Sequence, residues 1–154
     1  MRLFIAAPVI FPLYSALKED LSKYIKGKWV EGWNLHLTYK FIGEDEPEKY
    51  KTKLNILDKK IKINGIGMFN NKILYLKVEV DNSINEQINK IFNLKNDKPF
   101  VPHITLCRIK ELKDGYKEAI KRWENISFEV PNDVYLYKST LTKKGPIYEK
   151  IYKY

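Results

Sequence analysis

Residues 33–42 read WNLHLTYKFI and residues 100–109 read FVPHITLCRI, and both stretches are rich in the aromatic and β-branched residues typical of strands. Each contains one of the two histidines of the chain, followed two positions later by a threonine. Because five threonines occur among 154 residues, chance would place one after both histidines about once in a thousand such sequences. The pattern therefore predicts that the two strands form a common site.

The spacing of histidine and threonine matters because side chains at positions i and i+2 of a strand point to the same face, about 6 to 7 Å apart. His36 and Thr38 are therefore expected side by side, as are His103 and Thr105. The residue between the members of each pair is expected to point into an apolar layer. Alternatively, the histidines are hydrogen-bonded core residues and the threonines are merely good strand formers.

The number of residues that separates His36 from His103 also separates other pairs of predicted elements. Periodicity and turn residues predict helices over 12–26, 47–61, 82–92 and 116–123, and further strands over 3–7, 63–69, 73–80, 127–137 and 147–152. Shifted by the same interval, the first helix overlaps the third and the second overlaps the fourth. We interpret this as a structural duplication within one domain, residues 1–154, whose two pseudo-symmetric lobes bring the histidine strands together across a cleft.

The composition is that of an ordinary globular chain, with 44% hydrophobic and 31% charged residues. A single cysteine, Cys107, excludes an intramolecular disulfide and favours a reducing, cytoplasmic location. One cysteine and two histidines are also too few for a structural zinc site, so we expect no zinc. We expect no other metal and no cofactor either. The apolar start of the chain is interrupted by Pro8 and Pro12 and is too short to span a bilayer, so no membrane association is expected.

The 28 Lys and Arg residues outnumber the 19 Asp and Glu residues and give the chain a net charge of +9. A positive field attracts phosphate-bearing partners, with nucleic acid the first candidate. Because nearly all of the cations are lysines spread along the whole sequence, biased codon usage or adaptation to heat explains the charge equally well.

Two imidazoles and two hydroxyls around one small volume suit acid–base chemistry. Imidazole has the side-chain pKa nearest to neutrality, so one ring can donate a proton while the other accepts one. The hydroxyls can donate hydrogen bonds to a charged oxygen. In-line displacement at a phosphodiester uses this set of groups, with neither a metal nor a covalent nucleophile. A strained 2',3'-cyclic phosphate is the favoured target within this class.

The segments HLTYKFIGE, from residue 36, and PHITLCRIK, from residue 102, resemble the paired H-x-T-x signatures of the two-histidine phosphoesterase superfamily. The likeness is to its LigT-like branch of RNA 2',3'-cyclic phosphodiesterases, formerly called 2'-5' RNA ligases. The opening MRLFIAA and the closing LYKSTLTKKGPIYEKI resemble the first strand and the last segment of that branch. The resemblance implies a bilobal α+β fold in which two antiparallel sheets form a central cleft and helices lie outside. It also implies metal-independent hydrolysis of RNA 2',3'-cyclic phosphate ends to 2'-phosphomonoesters.

By the same resemblance, His36 donates the proton to the leaving 3' oxygen and His103 is the base that activates water. Thr38 and Thr105 bind the phosphate, and Arg108 matches the arginine that commonly follows the second motif. In a regular strand, however, Arg108 points away from His103 and Thr105, so it reaches the phosphate only if the strand bends or ends there. The alternative for Arg108 is an ion pair at the surface or between the lobes.

Other residues near the motifs carry weaker signals. Cys107 shares the face of His103 in a regular strand, and we interpret it as a small buried filler rather than a nucleophile. Phe4, Phe11 and Tyr39 are candidates to stack on a terminal base. Tyr39 stands where the family commonly has Leu, and because this position packs behind the site, we expect it to alter the pocket and not the chemistry.

The expected partner is RNA with a 2',3'-cyclic phosphate terminus, for which tRNA fragments are candidates, and we expect the protein to be a monomer. The same site also suits a small cyclic nucleotide. It suits the reverse reaction as well, in which a 5' hydroxyl replaces water and forms a 2'-5' link. A basic RNA-binding protein without catalytic activity is the remaining alternative.

Overall fold

The computed structural model describes residues 1–154 and contains nine strands, three α-helices and two short 3-10 helices. The strands are Arg2–Pro8 (β1), Ile25–Trp29 (β2), His36–Glu44 (β3), Lys60–Phe69 (β4), Ile73–Glu79 (β5), His103–Leu112 (β6), Ser127–Pro131 (β7), Tyr135–Thr142 (β8) and Gly145–Lys153 (β9). The α-helices are Tyr14–Leu21 (α1), Ser83–Phe92 (α2) and Tyr116–Lys121 (α3). The 3-10 helices are Gly32–Asn34 and Pro47–Tyr50.

The strands form two antiparallel sheets, as expected for this α+β fold. The first sheet has the order β3-β1-β8-β9 and the second has the order β2-β6-β5-β4-β7. The strand that begins at His36 is an edge of the first sheet, and the strand that begins at His103 lies inside the second. None of the three α-helices is both long and apolar enough to cross a bilayer.

One face of each sheet contributes to a shared core of 29 buried residues, to which the α-helices also add side chains. Leu37 in β3 and Ile104 in β6 are fully buried there. These are the residues between the histidine and the threonine of each motif, so the predicted apolar layer is present. Burial of each such side chain contributes roughly 1.5–3 kcal/mol, which holds the motif strands in place. The histidines and threonines themselves are half-buried.

The first helix is shorter than predicted. It ends at Leu21, and Ile25–Trp29 form β2 instead of a last helical turn. This strand pairs with β6 and passes so close to it that a Cβ atom on Gly27 would lie 2.1 Å from the carbonyl oxygen of Arg108. Pairing with a strand distant in sequence therefore overrides the helical spacing of the apolar residues.

The helix predicted over 47–61 is wrong. Pro47–Tyr50 form a single 3-10 turn, after which the chain is irregular up to β4. Within this stretch Leu54 and Ile56 are buried whereas Leu57 is 67% exposed. Because the buried residues are two positions apart, the segment follows the period of extended chain and not that of a helix.

The strand predicted over 127–137 is divided between the two sheets. The first part, β7, ends at Pro131, which has no backbone N–H to continue a ladder, and the second part, β8, begins at Tyr135. Between them the buried Asn132 donates its side-chain amide to the carbonyl of Asp58 and accepts the hydroxyl of Tyr39, at 2.8 Å in both cases. These bonds fix the point where the chain crosses from one sheet to the other.

Gly27→Ala is expected to destabilise the protein, because the new Cβ would meet the backbone of β6 and not a flexible side chain. Overpacking of this kind costs about 1–3 kcal/mol, which corresponds to a fall in Tm of about 3–10 °C for a domain of this size. Gly32→Ala is the matched control, since its nearest neighbour, Cδ2 of Tyr14, would lie at 3.6 Å. Thermal unfolding of both variants checks this, and equal Tm values for the two would contradict it.

Candidate active site

The two histidines have the same local geometry at the start of their strands. Nδ1 of His36 lies 2.6 Å from the carbonyl oxygen of Asn34, and Nδ1 of His103 lies 2.8 Å from the carbonyl oxygen of Val101. A carbonyl oxygen can only accept, so Nδ1 of each ring carries the hydrogen and donates it. This fixes the tautomer and leaves Nε2 of each ring free to accept or release a proton.

His36 packs into an aromatic cluster, with ring centroids 5.4 Å from Phe4 and 5.2 Å from Tyr148, the latter edge-on. Burial lowers the pKa of His36, the hydrogen bond to Asn34 opposes this shift, and the charge of His103 lowers the pKa further. The strands that carry the two motifs, β3 and β6, also contact one another, and Leu37 and Ile104 lie in the same core. The structure therefore brings the two distant motifs to one site.

His103 is likewise held by two aromatic rings. Its centroid lies 5.2 Å from Phe69 and 5.8 Å from Tyr75, and both contacts are close to perpendicular. The two aromatic rings stack on each other at 4.0 Å. A Cβ atom on Gly67 would lie 2.7 Å from the ring of Tyr75, so a side chain at this position would displace a ring that contacts His103.

A β-bulge decides which residues of β6 share a face. The pairing of β6 with β5 shifts between Thr105 and Cys107 and leaves Leu106 as an extra residue. After the bulge the alternation is reversed, so Arg108 lies on the same face as His103 and Thr105. The expectation that Cys107 shares that face is wrong, because the bulge turns its side chain into the core.

The exposure of Arg108 and the burial of Cys107 agree with this bulge. Arg108 is exposed and pairs with Ile73, which lies on the same face of β5 as Tyr75 and Lys77. Burial raises the pKa of Tyr148, and the charge of Arg108 acts to lower it. Cys107 is fully buried, and burial raises the pKa of its thiol to about 11. It is therefore a filler, as predicted, and stays a neutral thiol.

The pairing of β3 with β1 determines which side chains of the first motif share a face. His36 pairs with Pro8 and Thr38 with Ala6, so these four residues share one face. Tyr39 is the extra residue of another bulge and is 1% exposed, in agreement with its expected position behind the site.

Of the three residues proposed to stack on a base, one lies at the site. Phe11 stacks on Phe128 within the core, with centroids 4.8 Å apart, and Tyr39 is also in the core. Neither ring lines the pocket beside His36, so these two expectations are wrong. Phe4 lies beside His36 on the open face of the first sheet.

A pocket of about 300 Å³ adjoins His36. Its walls include Phe4, Trp33, Asn34, Tyr137, Tyr148 and Lys150. Trp33 stands at 82% exposure, and the side-chain amide of Asn34 donates to the carbonyl of Pro146 at 3.1 Å, which ties the hairpin of β8 and β9 to the start of β3. The pocket thus has an aromatic lining, polar groups and one cation.

Cations neighbour the site on the second sheet. Lys77 pairs with His103, and Lys28 pairs with Arg108, so their side chains lie on the same open face. No three His, Cys, Asp or Glu side chains converge in an arrangement that would hold a metal ion. The charge of this face suits an anionic ligand.

Phe69, Tyr75 and Lys150 were not among the site residues predicted from the sequence. A signal for Tyr75 was available, because it lies between Leu74 and Leu76, which are both buried, and strand alternation therefore directs it to the open face. The contacts of Phe69 and Lys150 depend on how the sheets curve, for which the sequence carries no comparable signal.

Comparison with known proteins identifies relatives over nearly the whole chain. The family model described as LigT like Phosphoesterase matches residues 78–148. The RNA 2',3'-cyclic phosphodiesterase of Methanocaldococcus jannaschii is 35% identical, and the match covers 98% of this chain and 98% of that protein. The protein of the same name from Aquifex aeolicus is 30% identical over 94% of this chain and 90% of that protein.

Solved structures share the fold. The crystal structure of TT0787 of Thermus thermophilus matches with a TM-score of 0.71 and 28% identity, over 100% of this chain and 97% of that chain. Escherichia coli LigT complexed with 3'-AMP matches with a TM-score of 0.69 and 20% identity, over 99% and 96% of the two chains. At that identity the likeness to LigT concerns the fold alone.

Proposed function

Because this chain belongs to the LigT-like phosphoesterase family, we propose that it is an RNA 2',3'-cyclic phosphodiesterase that hydrolyses cyclic ends to 2'-phosphomonoesters by two-histidine catalysis without a metal. Relatives of that name support the activity. The observation that carries the mechanism is the matched geometry of the two imidazoles, each with Nδ1 bonded to a carbonyl and Nε2 free. One such ring is suited to accept a proton while the other donates one.

In the proposed reaction, Nε2 of His103 takes a proton from water as the water oxygen attacks phosphorus. The bond from phosphorus to the 3' oxygen breaks on the opposite side, and His36 gives its Nε2 proton to the departing oxygen. The phosphate stays on the 2' oxygen. His103 ends the turnover protonated and His36 ends it neutral, so exchange with solvent restores both.

Substrate binding prepares His36 for its role as the acid. In the free protein burial lowers the pKa of His36, which favours the neutral ring. A phosphate anion at Nε2 has the opposite effect, because a negative charge nearby stabilises the imidazolium. The protonated acid is therefore favoured when the site is occupied.

The nonbridging phosphate oxygens need hydrogen-bond donors. The face of β6 that carries His103 and the face of β3 that carries His36 supply them. We propose that the hydroxyls of Thr38 and Thr105 donate to these oxygens and that the guanidinium of Arg108 neutralises their charge. The pocket beside His36 receives the terminal nucleoside, because its aromatic lining suits a ribose and a base.

The test of this function is incubation of the protein, in excess chelator, with an oligoribonucleotide ending in a 2',3'-cyclic phosphate. A 2'-phosphate product supports the proposal, whereas a 3'-phosphate product or activity lost in chelator contradicts it. Addition of RNA with a 5' hydroxyl tests 2'-5' ligation, and cyclic mononucleotides test the small-substrate alternative. Binding without any product would favour a non-catalytic RNA-binding protein.

Arg108→Ala is expected to lower kcat/KM by about ten- to a hundred-fold, the equivalent of a hydrogen bond to a charged group. The matched control is Arg122→Ala, since Arg122 pairs with Asp20 at 2.6 Å and lies away from the site. Steady-state hydrolysis of the cyclic-phosphate oligonucleotide measures both variants. If Arg122→Ala lowered kcat/KM as much as Arg108→Ala, the assignment of Arg108 to the phosphate would be wrong.

We further propose that the protein works as a cytoplasmic monomer on RNA ends such as those of tRNA fragments. Its residues 1–154 form a single domain of two pseudo-symmetric lobes in this proposal. The support for duplication is that β3 and β6 each begin with the histidine of a motif, one in each sheet.

A further inference from the structure

A row of paired residues crosses the first sheet from β3, at the proposed phosphate site, to β9 at the opposite edge. Thr38 pairs with Ala6, Ala6 with Tyr135, and Tyr135 with Lys153. Directly paired residues share a face, so all four side chains lie on the open face that carries His36. Three strand spacings of about 4.8 Å place the backbone of Lys153 about 14 Å from that of Thr38. Lys153 is therefore beyond the reacting phosphate but in line with it.

Two lysines converge on the ring of Tyr135. The ammonium of Lys150 lies 4.6 Å from the ring centroid and that of Lys153 lies 5.8 Å from it. We call Tyr135, Lys150 and Lys153 the tyrosine–lysine stripe. Because Lys150 also forms a wall of the pocket beside His36, the stripe continues directly from the pocket.

The charge of this stripe is poorly compensated within the protein. Lys153 has one carboxylate partner, Asp133, at 3.7 Å, and both side chains are largely exposed, so the pair contributes little stability. Lys150 forms no ion pair. Two neighbouring ammonium groups of like charge on one open face are suited to anions that come from outside.

We propose that the tyrosine–lysine stripe binds the single-stranded RNA that precedes the cyclic end. A base upstream of the terminal nucleotide stacks on Tyr135 and displaces the ammonium groups, which then bind the adjoining phosphates. Aromatic rings that alternate with cations are the usual means of holding single strands, since every base has a face to stack. The inference rests on the proposed function and narrows its substrate to single-stranded 3' ends, in preference to mononucleotides and to base-paired ends.

The experiment compares kcat/KM for cyclic-phosphate substrates of one to four nucleotides and for a blunt duplex with the same end. We expect kcat/KM to rise about five- to a hundred-fold from one to three nucleotides, the effect of stacking one base. The ratio of trinucleotide to mononucleotide is expected to fall in Tyr135→Leu and in Lys153→Ala. It is expected to stay at the wild-type value in Lys90→Ala, which removes an exposed lysine from α2.

Salt dependence provides a second readout. Removal of one lysine that binds a phosphate of a single strand reduces the slope of log binding constant against log salt by about 0.7, so this reduction is expected for Lys153→Ala with the trinucleotide. Equal kcat/KM at all lengths, or a duplex hydrolysed as fast as a single strand, would overturn the proposal that the tyrosine–lysine stripe binds RNA. Either result would leave the proposed function intact. If no cyclic substrate were hydrolysed, the proposed function would fail, and length-dependent binding of single-stranded RNA would then test the stripe alone.

Discussion

His36→Ala and His103→Ala are each expected to lower kcat by about 10² to 10⁴-fold, because each removes one proton transfer from the reaction. Both side chains are half-buried and lie outside the 29-residue core, so the fold should persist. Single-turnover hydrolysis of the cyclic-phosphate oligonucleotide measures the loss, and circular dichroism with thermal unfolding checks the fold. Turnover that persists undiminished in either variant removes that histidine from the mechanism.

The pH dependence of kcat/KM separates the two roles. Burial lowers the pKa of His36, so in the wild-type protein the loss of the protonated acid as pH rises is expected to begin below the ordinary imidazole pKa of 6.5. Loss of the acid removes the decline at high pH, because no group then has to stay protonated. Loss of the base removes the rise at low pH. We therefore expect His36→Ala to lack the falling limb and His103→Ala to lack the rising limb, and the reverse result would exchange their roles.

Much of the site could be predicted from the sequence because strand alternation is a local rule. The pairs His36 with Thr38 and His103 with Thr105 lie on open faces as the spacing of two residues requires. Arg108 could not be placed by that rule. Its face depends on the bulge at Leu106, which arises from how β6 pairs with β5 and not from the residues of β6 alone.

The errors in the fold have a similar origin. Residues 25–29 have apolar spacing that continues a helix, yet they pair with β6, and Gly27 is the residue that lets them approach it. The stretch after Pro47 has helical spacing as well, yet Leu54 and Ile56 enter the core as extended chain. In both places long-range contacts outweigh local propensity, which amounts to less than about 1 kcal/mol per residue. Neither of these differences concerns the strands that carry the two motifs. The site was therefore predicted more accurately than the helices.

The aromatic rings around the histidines show a further limit of local rules. Tyr148 is near the end of the chain and His36 is in its first third, yet their ring centroids are 5.2 Å apart. Such contacts lower the exposure of the imidazole and thereby its pKa. The protonation of His36 in the free protein therefore depends on residues that lie outside the two histidine motifs.

Thr38→Val and Thr105→Val are expected to lower kcat/KM by about 10² to 10³-fold each, the effect of losing one donor to a transition-state oxygen. Valine keeps the branched shape and the strand preference of threonine, so the change removes a hydroxyl and little else. Neither threonine hydroxyl has a hydrogen-bond partner within the protein, which leaves both free for a ligand. Hydrolysis of the cyclic-phosphate oligonucleotide by each variant measures the loss.

The matched control is Thr140→Val, which replaces an exposed threonine of β8. Because that hydroxyl lies outside both motifs, kcat/KM is expected to stay within about two-fold of the wild-type value, as for an ordinary surface substitution. The donors act on charge that grows in the transition state, so the motif variants should lose kcat more than they raise KM. A rise in KM with kcat unchanged would mean that the threonines bind substrate and transition state equally. In that case the rate enhancement would come from the two imidazoles and Arg108, and the threonines would contribute only to binding.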